Sequence, residues 1–304
     1  MIDAVLEIIR GETLTPPERV GHIIDAIETR HPDRVQAFVY YGSSLREMDN
    51  PGKMLDFYVL IDDYRKAHKT RLRAWLNQHI PPAVYYIERE DESGVVSTCK
   101  YSLMTLDEFE RRSGKDAFHS QVWGRFSQPC VLLRAKTDDI AERVYQARSK
   151  AVRYMASQSA PLLVPKATAA EVWGRGFYES YRTELRPESS VGRSQEIVER
   201  FSERYEKLTT ALYGKPDEDN NYALEGNAKT LERRWFFRRL RGKPRSILRV
   251  AHGALTFEGG LDYVLRKLKN HSGVDFTPSA FQRKHPLLTA PIMGWTLWRK
   301  GAFR

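Results

Sequence analysis

The distribution of apolar residues predicts alternating helices and strands over the first 137 residues. In residues 17–30, Val20, Ile23, Ile24 and Ile27 recur at the spacing of one helix face, after a Pro-Pro pair that suits a helix start. Short apolar runs bounded by turn residues predict strands at 35–41, 54–61, 83–87, 95–100 and 130–133. A basic helix is predicted over residues 64–79. This alternation is typical of an α/β (α+β) domain with a mixed sheet.

A second, mostly helical domain follows at residues 138–214. Its pattern is broken at residues 161–165, and residues 181–185 alternate in a way that suggests a strand. A winged-helix-like arrangement is one candidate for this domain. A polar linker at 215–221 then leads into a basic C-terminal region, residues 215–304.

The charge balance favours anionic partners. The chain has 304 residues, 41% of them hydrophobic, and a net charge of +10, so a folded, basic protein is expected. Cys99 and Cys130 form no CxxC motif, which indicates reduced thiols and no cysteine metal site. No apolar run reaches the ~20 residues of a spanning helix, and the N-terminus is too acidic for a transit peptide. A bacterial cytoplasmic protein with peripheral membrane contact is therefore expected; a processed organellar protein would show the same pattern.

The densest basic feature lies in the C-terminal region. Residues 233–249, the basic–aromatic segment, contain eight basic residues, no acidic ones, and Trp235, Phe236 and Phe237. Residues 291–304 again combine aromatic and basic side chains. Two interpretations remain open: an element that docks on an anionic membrane, or a solvated basic helix whose aromatic side chains pack into the core.

The candidate chemistry starts with Gly42, Ser43 and Ser44 after one predicted strand and Asp56 on the next. Nucleotidyl transfer suits this layout, because a glycine permits close approach to phosphate oxygens and a nearby carboxylate can hold magnesium against the triphosphate. Strand alternation places Asp56 and Asp62 on one side and makes both candidate Mg²⁺ ligands. Tyr58 stands where a second acid is usual. Gly-Ser after a strand is also common turn chemistry.

Further motifs resemble the mitochondrial-type phosphatidate cytidylyltransferases, the translocator assembly and maintenance family, which has bacterial members. The matching stretches span about residues 34–214 and occur in order: Ala37-Phe38-Val39-Tyr40-Tyr41-Gly42-Ser43, Met54-Leu55-Asp56-Phe57 through Asp62-Asp63, Ala83-Val84-Tyr85-Tyr86, Lys100-Tyr101, Gly124-Arg125-Phe126, and Ser180-Tyr181-Arg182-Thr183-Glu184-Leu185-Arg186. Ser102 and Gln128 depart from the family pattern, which has glycine and a basic residue there.

The resemblance implies a nucleotidyltransferase domain at residues 1–137. It also implies a magnesium-dependent reaction of CTP with phosphatidic acid to give CDP-diacylglycerol and pyrophosphate. The nucleotide and phosphate contacts are then expected from Gly42, Ser43, Ser44, Lys100, Tyr101, Arg125, Glu184 and Arg186. Nucleic acid is not an expected partner on this interpretation, and no oligomeric state is predicted.

Two other functions fit the same residues. A nucleotidyltransferase could use an RNA or protein acceptor, with the basic–aromatic segment binding a nucleic-acid backbone. A non-catalytic basic binding protein is the other alternative, because Tyr58 stands in place of an acid.

Overall fold

In a computed structural model, five strands form one mixed sheet between two layers of helices. The structure describes residues 3–13, 17–42, 45, 50, 52–80, 83–90, 94–184, 190–256, 265, 269, 272–284 and 286–301. The strands are β1 (Val35–Tyr41), β2 (Leu55–Ile61), β3 (Ala83–Glu90), β4 (Val96–Thr105) and β5 (Cys130–Ala135). Their spatial order is β3-β4-β2-β1-β5, with β2 and β4 parallel and the other neighbours antiparallel. The predicted α/β class with a mixed sheet is confirmed.

The helices before the end of the sheet are α1 (Ala4–Arg10), α2 (Glu18–Arg30), α3 (Tyr64–Ala67), α4 (Arg71–His79), α5 (Leu106–Arg112) and α6 (Trp123–Phe126). After β5 come α7 (Asp138–Ser159), α8 (Ala169–Arg182), α9 (Ser190–Arg200), α10 (Ser202–Tyr213), α11 (Ala228–Thr256), α12 (Ala280–Lys284) and α13 (Pro286–Arg299). Two short strands, β6 (Lys166–Thr168) and β7 (Asn221–Ala223), pair antiparallel. Within the described ranges, no helix has both the length and the apolar character that crossing a bilayer requires.

The two faces of the sheet bury different helices, because successive side chains of a strand point to opposite sides. Phe57 and Val59 of β2 pack in the cluster that holds the apolar face of α2. Tyr58 and Leu60 face the other way, into the cluster built with α1, α6, α7 and α8. That second cluster draws on residues from both sides of position 137, so the predicted boundary there marks a change of secondary structure inside one shared core.

Two predicted elements differ from the structure. Residues 64–79 form two helices, because Asp63 caps the first and the Thr70 hydroxyl accepts from Arg73 N to start the second. The strand predicted at 181–185 is wrong: Tyr181 lies in the last turn of α8. A capping box at Thr168 starts this helix, and Trp173, Phe177 and Tyr181 recur every four residues on its buried face.

The basic–aromatic segment lies within α11 and satisfies each of the two open interpretations in part. The Trp235 ring is buried and its Nε1 donates to the Gln158 carbonyl oxygen at 2.8 Å. The Arg238 guanidinium is also buried, between the Trp123 and Trp235 rings. Phe236 and Phe237, by contrast, are 55% and 46% exposed. One face of the helix therefore anchors in the core, while another presents rings to solvent.

The buried His31 predicts acid sensitivity. Its Nε2 lies 3.0 Å from the Tyr101 hydroxyl, and burial, aided by Arg30 and His68, lowers its pKa from 6.5 to about 4. Between these two values the unfolded chain binds more protons than the folded chain, so the free energy of unfolding decreases as the pH falls through that window. This one group accounts for a change on the order of 3 kcal/mol.

Urea unfolding at a series of pH values from 7 to 4 measures the effect. The slope of unfolding free energy against pH should be smaller in His31→Asn than in the parent chain, although His119, whose pKa is also lowered to about 4, leaves part of it. Identical slopes in the two proteins would show that His31 is not the titrating group.

Candidate active site

The Asp56 carboxylate lies beneath the backbone of Gly42. Gly42 follows β1 with a φ of +101°, a conformation that favours glycine, and a Cβ there would lie 3.2 Å from Asp56 Oδ2. Asp56 sits near the start of β2, on the same side as Tyr58. Glycine is thus required twice, for the backbone conformation and for room beside the carboxylate.

Lys100 lies next to Asp56 because β2 and β4 run parallel in register. The two residues are Cα partners, and Lys100 Nζ is 3.3 Å from Asp56 Oδ1. That oxygen is buried, and within the described ranges no donor makes a hydrogen bond to it. The lysine side chain is 39% exposed and the aspartate 20%. A carboxylate oxygen without a hydrogen-bond donor, beside an accessible ammonium, suits a site that binds a cation and phosphate together.

Arg125 reaches the same face of the sheet from the short helix α6. Its guanidinium lies 5.0 Å from the Tyr41 ring centroid and 5.9 Å from that of Tyr58, and Nη1 donates to the Tyr41 hydroxyl at 3.4 Å. Tyr58 is buried edge-on against Tyr41 and Phe126, with centroids 5.3 and 4.9 Å apart. Tyr58, the residue in place of a second acid, therefore forms part of the aromatic surface over which the Arg125 guanidinium lies.

The charges around Arg125 keep it cationic. Burial lowers the pKa of its guanidinium, but neighbouring groups raise it by more, so its pKa lies above the ordinary arginine value. The groups that raise it are Tyr41, Tyr58, Glu184 and Asp56. The charges of the Asp56 and Glu184 carboxylates thus both act on Arg125.

Asp62 does not belong to this site, which corrects the predicted metal pair. It lies beyond the far end of β2, where its Oδ2 accepts from Arg34 Nη1 at 2.9 Å. Six residues of extended strand separate it from Asp56 by about 20 Å. The same side of a strand is not the same end, so these two carboxylates cannot share one ion.

Tyr101 is also placed elsewhere. It follows Lys100 on β4 and therefore points to the opposite face, where its ring is fully buried against Tyr85 and its hydroxyl meets His31. The prediction that Tyr101 contacts nucleotide is wrong, because adjacent strand residues cannot serve the same face.

The remaining predicted residues divide into two groups. Ser43, Ser44 and Arg186 lie outside the described residues. Glu184 follows the end of α8, and its buried carboxylate pairs with Arg249 Nη2 of α11 at 3.3 Å. Glu184 and Arg249 were not expected to pair, since the alternation seen in the sequence suggested a strand there.

A pocket beside Gly42 contains residues that the sequence did not single out. Tyr41 pairs with Cys130, which brings the turn before β5 next to Gly42. Helix α9 closes the other side with Arg193 and Arg200, both ion-paired to Glu196. The lining of this Gly42 pocket is Gly42, Leu45, Gln128, Pro129, Arg193, Glu196, Ile197, Arg200 and Phe201. The only sign of these residues in the sequence was the seven-residue spacing of Arg193 and Arg200, which is equally typical of a solvated helix face.

Magnesium fits one end of this arrangement. Mg²⁺ typically binds one or two protein carboxylates and completes its shell with substrate phosphates and water. Asp56 supplies one carboxylate; among the described residues, no group of three or more potential metal ligands occurs. The residues therefore suit an ion that arrives with a nucleotide.

Comparison with known proteins adds no family assignment. No model of a known protein family matches this chain, and no curated protein sequence matches it either.

Proposed function

We propose that this protein is a magnesium-dependent phosphatidate cytidylyltransferase, which joins CTP and phosphatidate to give CDP-diacylglycerol and pyrophosphate. The observation that carries the proposal is the joint placement of Gly42, Asp56, Lys100 and Arg125 at one end of one face of the sheet. The motif order in the sequence supports the choice of CTP and phosphatidate.

The chemistry needs charge placement more than a base. A phosphate oxygen of phosphatidate is already anionic; it forms a bond to the α-phosphorus of CTP while the bond to pyrophosphate breaks. Magnesium, when bound, would offset negative charge on the phosphates. Lys100 and Arg125 hold phosphate oxygens, and the planar guanidinium of Arg125 can form two parallel hydrogen bonds to them. The Asp56 carboxylate pairs with Lys100 and would hold the magnesium ion.

A transfer assay tests this proposal directly. Purified protein, magnesium and each of the four α-labelled nucleoside triphosphates are incubated in turn with short-chain phosphatidate, with RNA, and with no acceptor. Label should pass from CTP to the lipid with one pyrophosphate released per product. Label in RNA would instead favour the RNA acceptor, and no transfer to any acceptor would overturn the enzymatic proposal.

The lipid acceptor requires contact with a bilayer, and two exposed surfaces suit an anionic one. On α11, Phe236, Phe237 and Leu240 are exposed beside the exposed Arg233, Arg234, Arg241 and Lys243. On α13, Met293 and Leu297 are buried, whereas Ile292, Trp295 and Trp298 are 59–65% exposed and the two indoles stack at 5.1 Å. Exposed rings next to cations are typical of peripheral membrane proteins, and we propose that this protein acts at the cytoplasmic surface of a membrane.

Replacing Phe236 and Phe237 with serine should weaken binding to phosphatidate-containing vesicles several-fold without loss of fold, because both rings are largely exposed. Salt should weaken binding of the parent chain only in part. It screens the cations, worth about 1 kcal/mol each at an anionic surface, over ~8 Å, but leaves ring insertion intact. Vesicle sedimentation at low and high salt measures both effects.

Val164→Ser, which removes another exposed apolar side chain, is the matched control and should bind as the parent does. Binding that is indifferent to anionic lipid content, or equal losses in both variants, would argue against docking through α11.

A further inference from the structure

A narrow pocket between α8, α11 and the segment before α6 concentrates positive charge. Gly242 lies so close to α8 that a Cβ would overlap the Thr183 carbonyl oxygen, which brings α11 against the end of α8. The pocket, here called the Glu184 pocket, is lined by His119, Gln121, Thr183, Glu184, Gly242, Arg245, Ser246 and Arg249. Two arginines, one histidine and one carboxylate are its ionisable groups.

The surroundings of the pocket add further cations. Two arginines of α11 contact Phe118, the residue before His119. The Arg238 side chain donates through Nε to the Phe118 carbonyl oxygen at 3.0 Å, and the Arg241 guanidinium lies 5.2 Å from the Phe118 ring. Burial, together with the charges of Arg245, Arg112, Arg238 and Arg241, lowers the pKa of His119 to about 4. Burial and the neighbouring Arg112 likewise lower the pKa of Arg245. Glu108, which pairs with Arg112, raises the pKa of Arg245 in part, but the net effect of its surroundings is to lower it.

This pocket adjoins the Asp56 site. A Cβ at Gly124 would overlap the Ser180 hydroxyl, so α6, which carries Arg125, packs directly on the end of α8. The Ser120 and Thr183 hydroxyls are hydrogen-bonded at 3.0 Å across the same contact. The Glu184 carboxylate therefore pairs with Arg249 and also raises the pKa of Arg125.

We propose that the Glu184 pocket binds the phosphate group of a phosphomonoester, the acceptor of the transfer reaction, and that the Glu184 carboxylate occupies this place until the phosphate displaces it from Arg249. That this phosphomonoester is the acceptor rests on the proposed function, whereas the binding of phosphate does not. Arg245 and Arg249 supply forked donors on one face of α11, and the charge of Glu184 also acts on Arg125 of the Asp56 site.

The displacement by phosphate predicts opposite effects from two variants of one ion pair. Arg249→Gln and Arg245→Gln remove charge-assisted contacts and should each weaken phosphomonoester binding about tenfold. Glu184→Gln removes the competing carboxylate at nearly unchanged shape and should strengthen binding several-fold. The control is Arg153→Gln. Arg153 lies on α7 in a half-exposed ion pair with Asp3, and this variant should bind as the parent does.

Isothermal titration of the full chain, without nucleotide, with inorganic phosphate and with dihexanoyl phosphatidate measures these affinities. Equal affinities for the two probes would mean that the pocket recognises the phosphate group alone. Tighter binding of dihexanoyl phosphatidate would mean that it also contacts the rest of the lipid. No binding of either probe, or no weakening in Arg245→Gln and Arg249→Gln, overturns the inference, as does weaker binding in Glu184→Gln with its thermal midpoint unchanged. Because no CTP is present, failure of cytidylyl transfer leaves this test intact.

Discussion

Replacing Asp56 with asparagine is expected to lower kcat/KM for cytidylyl transfer by about 10³-fold while the chain stays folded. Asparagine has the same shape but lacks the charge that would hold a cation beside Gly42. The Asp56 oxygen that lies 3.3 Å from Lys100 receives no hydrogen bond within the described residues, so the fold does not depend on its acceptor. Loss of the charge instead leaves Lys100 without its carboxylate.

Asp62→Asn is the matched control. It is the same substitution, just beyond the other end of β2 and about 20 Å from Asp56. The partly exposed ion pair of Asp62 with Arg34 contributes on the order of 1 kcal/mol or less. Its kcat/KM should equal that of the parent. Initial rates of pyrophosphate release, with circular dichroism to monitor folding, give the comparison. Equal losses in both variants would contradict the separation of the two carboxylates, and full activity of Asp56→Asn would remove Asp56 from the site.

Replacing Arg125 with lysine is expected to lower kcat/KM by about 10²-fold, although the charge is kept. The planar guanidinium lies over the Tyr41 ring and near that of Tyr58, and its Nη1 donates to the Tyr41 hydroxyl. An ammonium can neither stack in this way nor form two parallel bonds to a phosphate. The lost cation–π contact should cost about 1 kcal/mol of stability, too little to unfold the chain.

Arg134→Lys controls for the substitution itself. Arg134 lies on β5 of the same sheet and pairs with Asp25 and Glu28 at 3.1 and 2.9 Å, far from Arg125 in the register of the strands. Activity should be unchanged there. Steady-state kinetics with CTP varied and then short-chain phosphatidate varied shows which phosphate Arg125 holds. Parent-like kinetics for Arg125→Lys would show that charge alone suffices and that the stacking serves the fold.

Both predictions depend on distances that no sequence motif contains. The spacing from Gly42 to Asp56 predicts adjacent strands, but only the register places the carboxylate beneath the glycine. Likewise, the sequence shows Tyr58 only as a residue in the place of an acid. In the structure its ring lies near the guanidinium of Arg125, which comes 67 residues later in the chain.

Local patterns determined much of the sheet. The predicted strand at 35–41 has the observed bounds of β1, and the other four strands were placed within a few residues at their starts, because buried strands are short apolar runs that turn residues terminate. The helix at 17–30 and the helical character of 138–214 follow from apolar periodicity and capping residues in the same way.

The positions of Asp62, Tyr101 and Glu184 were decided by tertiary structure. Alternation along a strand tells which face a side chain takes, but not how far along the sheet its partners lie, and a charged residue after a helix can pair with any element that packs there. Thus Asp62 pairs with Arg34, and Glu184 meets Arg249 on a helix that begins 44 residues later. The sequence by itself determined which segments are strands and helices, because those choices depend on neighbours in the chain; the packing of α6, α8 and α11 around one end of the sheet determined which charges meet, because those contacts join residues far apart in it.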